Sequence, residues 1–382
     1  MEKVINTGVV PIKVWLEDIE DGALQQARNL SQLPFVYQHI ALMPDCHQGF
    51  GVPIGCVFAA QDAVIPNAVG VDIGCGMCAA RFDHTGKPPE SVLRQIVAGI
   101  QTVIPMGFKH HQQAQPWDGF QRAPRVPVIQ AELNNARTQL GTLGSGNHFI
   151  EIQQDEEDNL WVMVHSGSRN FGLKIAQEYH RRAQSLCAAR RLPLPNNDLA
   201  YLPLDSADAQ DYLAAMNFAL DFARMNRKLM MDRVGDVLLQ VVGVPEIERL
   251  DIHHNFAARE THFGKEVIVH RKGATRAFAG QLGIIPGSMG TASYIVRGLG
   301  NPDSFLSCSH GAGRRMGRKA AQRTLDLKKE QARMKGIVHG LHSSRDLDEA
   351  PGSYKDIDMV MEHQQDLVMI EVSLRPIASM KG

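Results

Sequence analysis

The chain has 382 residues, 44% hydrophobic and 21% charged, so it carries enough apolar surface for a sizeable core and is not broadly disordered. Forty Lys and Arg stand against 41 Asp and Glu, a formal net charge of −1, which excludes a uniformly basic nucleic-acid coat but leaves room for local basic patches. No apolar run is long enough to span a bilayer, and MEKVINTGVVPIKVW at the N-terminus is too charged for a signal peptide. Six unevenly spaced cysteines do not suggest a disulfide framework, so a cytoplasmic protein with no membrane partner is expected. The outlying counts are 34 glycines and 16 histidines.

Helical periodicity marks Glu90–Ile104, Val128–Leu140, Leu173–Leu192 and Asp208–Val242. Short β-type runs fall at Tyr37–Met43, Leu160–His165, Glu266–His270 and Leu367–Val372. The order is irregular rather than a β-α-β alternation, which predicts an α+β fold with sheets at its centre. Segments rich in Gly, His, Cys and Asp follow the β-type runs, where loops converge on one site.

The first such segment, MPDCHQGFGVPIG (Met43–Gly55), sets Asp45, Cys46 and His47 in a row. Side chains alternate along a strand, so at most two of the three serve one site, and an Asx turn beside a satisfied histidine explains the segment equally well. In VGVDIGCGM (Val69–Met77) a glycine between Asp72 and Cys75 lets carboxylate and thiolate face one point. LGTLGSGNHFIEI (Leu140–Ile152) leads a glycine-rich loop into Asn147 and His148. VMVHSGSRNFG brings His165 and Arg169, and DIHHNFA brings His253, His254 and Asn255. Any one of these histidines alone reads best as a core residue bonded to a carbonyl. Three His-bearing loops together with an Asp-x-x-Cys loop supply enough N, O and S donors for two metal ions, an arrangement suited to in-line displacement at phosphorus.

The last third adds HRKGATRA, with Arg271, Lys272 and Arg276 around a glycine in a candidate phosphate-contact loop. PGSMGTASY (Pro286–Tyr294) offers Ser288 and Ser293 hydroxyls and close backbone approach to a nucleotide. SCSHGAGRRMGR (Ser307–Arg318) sets His310 before a Gly-Ala-Gly turn and a basic run that is equally an ordinary solvated charge cluster. Walker and Rossmann signatures are absent, as is the Lys-x-Asp-Gly of lysine-nucleotidylating ligases. If nucleotidyl transfer occurs, a neutral imidazole is the sensible nucleophile.

PDCHQGFGVPIG, VDIGCG, GSGNHFIE, HSGSR, HHN, RKGA, PGSMGT, SHGAGR and EAPGSYKDID resemble, in order, the blocks of the RtcB family of RNA-splicing ligases, from about residue 40 to the C-terminus. The shorter chain is similar to the branch encoded beside a peptide-release-factor-like protein. The resemblance implies one large α+β catalytic domain over residues 1–382, with central mixed sheets surrounded by helices. It also implies GTP- and Mn²⁺-dependent joining of RNA 3′-phosphate or 2′,3′-cyclic phosphate ends to 5′-hydroxyl ends, in RNA repair or tRNA splicing.

Carried over position by position, Asp72, Cys75, His148, His165 and His254 would hold two Mn²⁺ ions, with Cys75 bridging. His310 would be the guanylylated residue. Asp45 is the candidate, on chemical grounds, to orient its other ring nitrogen as a carboxylate does in a Ser-His-Asp site. Guanosine contacts would come from Asn147, Glu151, His254, Asn255, Pro286, Gly287, Ser288, Met289, Ser293, His310, Gly311, Ala312, Gly313 and Lys381. RNA contacts are expected from Arg169, Arg271, Lys272, Arg276, Arg314 and Arg315. A monomer served by an archease-like activator is expected. Two readings compete. A two-metal phosphoesterase leaves the PGSM and HGAG loops without a role, and a metal-stabilised RNA-binding protein does not explain a nucleotide cradle beside a histidine.

Overall fold

The β-type run at Tyr37 extends further than its apolar pattern, as the strand Val36–His47. The computed structural model describes residues 1–382. Pairing of this strand with Ile54–Ala60 breaks register between Leu42 and His47, so Met43–Cys46 leave the ladder on that side. Pro44 has no N–H to give, which fits the break. Alternation continues through it: Cys46 sits in an apolar cluster with Leu42 and Cys56, while Asp45 points away from that cluster.

Two large sheets form the centre. One runs in the order Lys3–Ile5, Ile12–Val14, Val36–His47, Ile54–Ala60, Lys265–Lys272, Asn255–His262. The other runs Glu246–His253, Gly76–Thr85, Asn159–Ser166, Phe149–Gln154, Val368–Lys381, Ser293–Gly298, Leu282–Ile285, with Val338–His339 added in parallel on Val368–Lys381. The architecture is mixed α+β, as the irregular order of elements predicts. The chain crosses from one sheet to the other at His254, between strands ending at His253 and beginning at Asn255.

The predicted helices appear as Glu90–Val103, Pro127–Gln139, Arg169–Ala189 and Ala207–Val242. The third starts four residues before Leu173, because the Ser168 N–H is held by Asp72 Oδ1 at 3.1 Å and turns the chain early. The fourth is 36 residues long, capped by the Ser206 hydroxyl on the Ala209 N–H and by Gly243 in the left-handed region. Tyr212, Ala215 and Phe222 join one apolar cluster; Met230, Val234 and Leu238 join another behind the larger sheet. Between these stretches the helix buries two polar residues completely, Asn226 and Arg227. No helix is long and apolar enough to cross a membrane, and all six cysteines are free and buried.

Two adjacent rows across the larger sheet set the site. Gly76 pairs with His253 on one side and Ser166 on the other; His165 pairs with Phe149, and Phe149 with Lys381. Cys75, His148 and His254 each lie one residue outside these positions, so adjacent strands deliver them to one sheet edge.

Candidate active site

At that edge two triads share a sulfur. Asp72, Cys75 and His148 form one, and Cys75, His165 and His254 the other, with all ligand atoms of each within 4.8 Å of one another. Cys75 Sγ lies 3.5 Å from His148 Nε2 and 3.2 Å from His165 Nε2. His165 Nε2 is 3.4 Å from His254 Nε2, and His148 Nε2 is 3.0 Å from Asp72 Oδ2. His148 Nδ1 faces the Leu143 carbonyl and His165 Nδ1 the Asn147 carbonyl, each at 3.0 Å. Carbonyls only accept, so the His165 imidazole carries its proton on Nδ1 and turns an Nε2 lone pair inward; with a cation bound between it and Asp72, His148 would do the same. Burial pushes His165 and His254 well below the usual histidine range, which keeps them neutral. Lone pairs, a sulfur and a carboxylate thus converge in a buried space where a cation is the natural partner. The N/O/S donor set suits a borderline divalent ion such as Mn²⁺ or Zn²⁺.

Beside the triads, His310 follows the short strand Ser307–Ser309, and its ring meets that of His254 at 4.8 Å between centroids. Its Nδ1 lies 2.6 Å from Asp45 Oδ2, which also accepts the His310 backbone N–H at 3.0 Å. Asp45 is fully buried. The approach is close because Gly313 and Gly55 back onto Asp45: a Cβ on either would come within 3.0 Å of it. The carboxylate binds Nδ1–H and leaves Nε2 with a free lone pair.

His310 opens into a cavity of about 320 Å³. Of the residues expected at a nucleotide, Asn147, Glu151, Pro286, Gly287, Met289, Gly311, Ala312, Gly313 and Lys381 line it with His310. His254 faces the metal-ligand cluster instead. Asn255, Ser288 and Ser293 act behind the wall. Asn255 bonds the Asp72 carbonyl and the Gly273 N–H, Ser293 Oγ takes the Gly287 N–H, and the Ser288 N–H goes to Thr291 Oγ1. At the floor, burial lifts Glu151 to about 7 against the opposing pull of Lys381, Ser379 and Gln153.

The cavity is also lined by Phe149 and Tyr354, to which motif reading gave no role, by His47 of the Asp45–His47 run and by Arg318 of the basic run expected at RNA. Glu349 was missed as well: buried, it gathers Arg314 at 3.0 Å, Arg318 at 3.4 Å and Lys381 at 3.7 Å, and it accepts the Tyr354 hydroxyl. Its one sequence signal is its place at the head of EAPGSYKDID.

The six expected RNA contacts separate. Arg169 has a positive φ of 60° and sets Nη1 3.3 Å from His148 Nδ1, at the mouth of the first triad. Arg315 is exposed, with Nε on the Gly352 carbonyl, and Arg314 is held by Glu349. Arg276 is half-exposed, paired with Glu260 at 2.9 Å and stacked over Phe256. Arg271 and Lys272 lie inside the protein, and their expected placement on RNA is corrected accordingly. Arg271 is fully buried and bonds both Glu260 oxygens, at 2.7 and 2.9 Å; Lys272 Nζ bonds the Phe50 and Asn67 carbonyls. A desolvated cation needs an internal partner, and a short R-K-G pattern does not show that it has one.

The family model described as tRNA-splicing ligase RtcB matches residues 26–123 and 118–382. The chain is 41% identical to an RNA-splicing ligase RtcB of Escherichia coli K12, covering 100% of this chain and 99% of that protein. It is 33% identical to a tRNA-splicing ligase RtcB of Pyrobaculum aerophilum, over 98% of this chain and 95% of that one. It is 31% identical to an RNA-splicing ligase RtcB of Mycobacterium tuberculosis, over 94% of this chain and 100% of that one.

Proposed function

Because this chain belongs to the RtcB family, we propose that it is an RNA ligase that joins 3′-phosphate or 2′,3′-cyclic phosphate ends to 5′-hydroxyl ends through a GMP adduct on His310. The observation that carries this reading is the Asp45–His310 pair opening into a nucleotide-sized cavity beside the N/O/S donor cluster.

Two divalent ions, Mn²⁺ on the family's pattern, would be held by Asp72, Cys75 and His148 and by Cys75, His165 and His254, and would supply neutralisation of phosphate oxygens. Asp45 holds the His310 proton on Nδ1 and stabilises the charge that develops on the ring as Nε2 attacks the α-phosphate of GTP, releasing pyrophosphate. Glu151 accepts hydrogen bonds from the ring N–H and amino group of guanine, which adenine does not present in that pattern. Transfer of GMP to an RNA 3′-phosphate then creates a good leaving group for attack by the 5′-hydroxyl, since a phosphate monoester alone is a poor electrophile. Arg169, Arg314, Arg315 and Arg318 offer charge to the RNA backbone, so binding should be salt-sensitive.

A phosphoesterase reading leaves the Asp45–His310 pair and the cavity without work. The test is His310→Ala assayed on RNA already carrying an activated 3′-pp-G end. Sealing of that substrate, with no sealing of the plain 3′-phosphate, supports a role in the first step. Failure on both, with fold and metal content intact, contradicts a role confined to it.

A further inference from the structure

Asn226 and Arg227 are adjacent, fully buried and polar, midway along a helix whose other buried positions are mostly apolar. Burying a guanidinium and an amide is costly unless every polar atom is used, and here the bonds go to the loops that carry the metal-site side chains. The Arg227 guanidinium donates Nη1 to the carbonyls of Gly74 and Ser166, each at 3.0 Å. Its Nε and Nη2 form a two-pronged pair with Asp251 at 2.7 Å each, and Nη2 lies 3.2 Å from His253 Nδ1. Gly74 precedes Cys75, Ser166 follows His165, and His253 precedes His254. One side chain thus ties the backbone beside Cys75 and His165 and, through Asp251, the strand that leads into His254.

Asn226 addresses the other triad. Its Oδ1 accepts the N–H groups of Gly141 and Thr142, at 2.7 and 3.1 Å. Its Nδ2 donates to the Thr142 carbonyl, Ser166 Oγ and the Gly167 carbonyl. The 141–143 turn carries the Leu143 carbonyl that orients His148. Gly167 lies against Asp72, where a Cβ would come within 2.2 Å of Oδ1, and the next residue donates its N–H to that oxygen.

We propose that Arg227 and Asn226 are positioning residues with divided duties, Arg227 setting the Cys75–His165–His254 ion site and Asn226 the Asp72–Cys75–His148 ion site. Side chains at consecutive helix positions diverge by about 100°, so one rigid helix reaches two loop systems at once. The inference rests on the two-ion reading above. Neither residue touches a ligand atom; both act by holding the segments that carry the ligands, the outer-shell role that commonly governs metal affinity.

The test is calorimetric titration of the metal-free full chain with Mn²⁺, comparing wild type, Arg227→Lys and Asn226→Ser, each also in His148→Ala and His254→Ala backgrounds. The His148→Ala background keeps the second site. There Arg227→Lys should weaken the remaining ion about 10- to 100-fold, while Asn226→Ser leaves it within about threefold. The His254→Ala background should reverse that pattern. Val234→Ala, in the apolar stretch of the same helix, should lower the melting temperature without changing either affinity. Asp251→Asn, which keeps Arg227 but loosens its orientation, should weaken the second site if Arg227→Lys does not fold. Equal losses in both backgrounds, or none, would overturn the division of duties. Fewer than two ions on the wild type would instead overturn the two-ion reading beneath it.

Discussion

Asp45 Oδ2 holds both the Nδ1 and the backbone N–H of His310, at 2.6 and 3.0 Å, although the two residues lie 265 positions apart. A carboxylate bound at two points of one histidine fixes both the tautomer and the orientation of the ring. Asp45→Asn keeps the volume but offers its amide N–H₂ or its carbonyl to Nδ1 with no charge behind it. Label transfer from α-labelled GTP to the protein in single turnover should slow by about 10²- to 10⁴-fold, as for carboxylate-to-amide changes beside other catalytic histidines. Sealing of pre-activated RNA should suffer less. Equal losses in both steps would show that Asp45 serves more than His310.

Glu151 predicts a pH dependence of nucleotide affinity. Burial lifts its carboxyl to about 7, and the proposed guanine contact needs the carboxylate. Affinity for a non-hydrolysable GTP analogue should rise with pH through about 7 and level off above it, with up to about a tenfold loss on going one unit below. Glu151→Gln should flatten the profile and narrow the preference for guanine over adenine nucleotides. An unchanged profile in Glu151→Gln would assign the dependence elsewhere.

Glu260 predicts an acid limit to stability. Burial opposes its ionisation, but Arg271, His262 and Arg276 outweigh burial and hold it at about 2. A carboxyl depressed on folding stabilises the protein above its unfolded pKa, and that contribution disappears as pH falls through the folded value. About 3 kcal/mol should therefore be lost between roughly pH 4.5 and pH 2. Melting curves across that window should show a steeper fall for wild type than for Glu260→Gln. That variant should also be less stable at pH 7, because Arg271 is left buried without its partner.

The two kinds of arginine should separate in RNA binding. Arg318 is about half exposed and borders the cavity, whereas Arg271 is fully buried. Arg318→Gln should weaken RNA binding and lower the slope of log affinity against log salt by about one. Arg271→Lys should lower the melting temperature and leave the salt slope unchanged. A slope change in Arg271→Lys without loss of stability would return that residue to the RNA surface.

Legibility in the sequence followed the range of the interaction. The long helix Ala207–Val242 and the helix Glu90–Val103 lie within a residue or so of their periodic patterns, because propensity and amphipathic spacing are local. The extension of Val36–His47 past Met43 was not legible. Pro44 and Asp45 read as a turn, and the segment is held extended by the single pair His47–Ile54 and by Lys355 Nζ, remote in sequence, on the Pro44 and Cys46 carbonyls. Among site residues, histidines flanked by glycine stand out because both types are conspicuous at the ends of apolar runs. Glu349, Asn226 and Arg227 do not, since a Glu in a polar segment and an Asn-Arg pair in a helix look like solvated surface until the fold buries them. The same blindness places Arg271 and Lys272 on RNA when the fold turns them inward.

The most direct test of the central claim is incubation of the full chain with α-labelled GTP and Mn²⁺, followed by denaturing electrophoresis of wild type and His310→Ala. An acid-labile label is expected on the wild type alone, absent when ATP replaces GTP. No label on a folded, Mn²⁺-loaded wild type that entered the assay free of GMP, or equal label on His310→Ala, would contradict it.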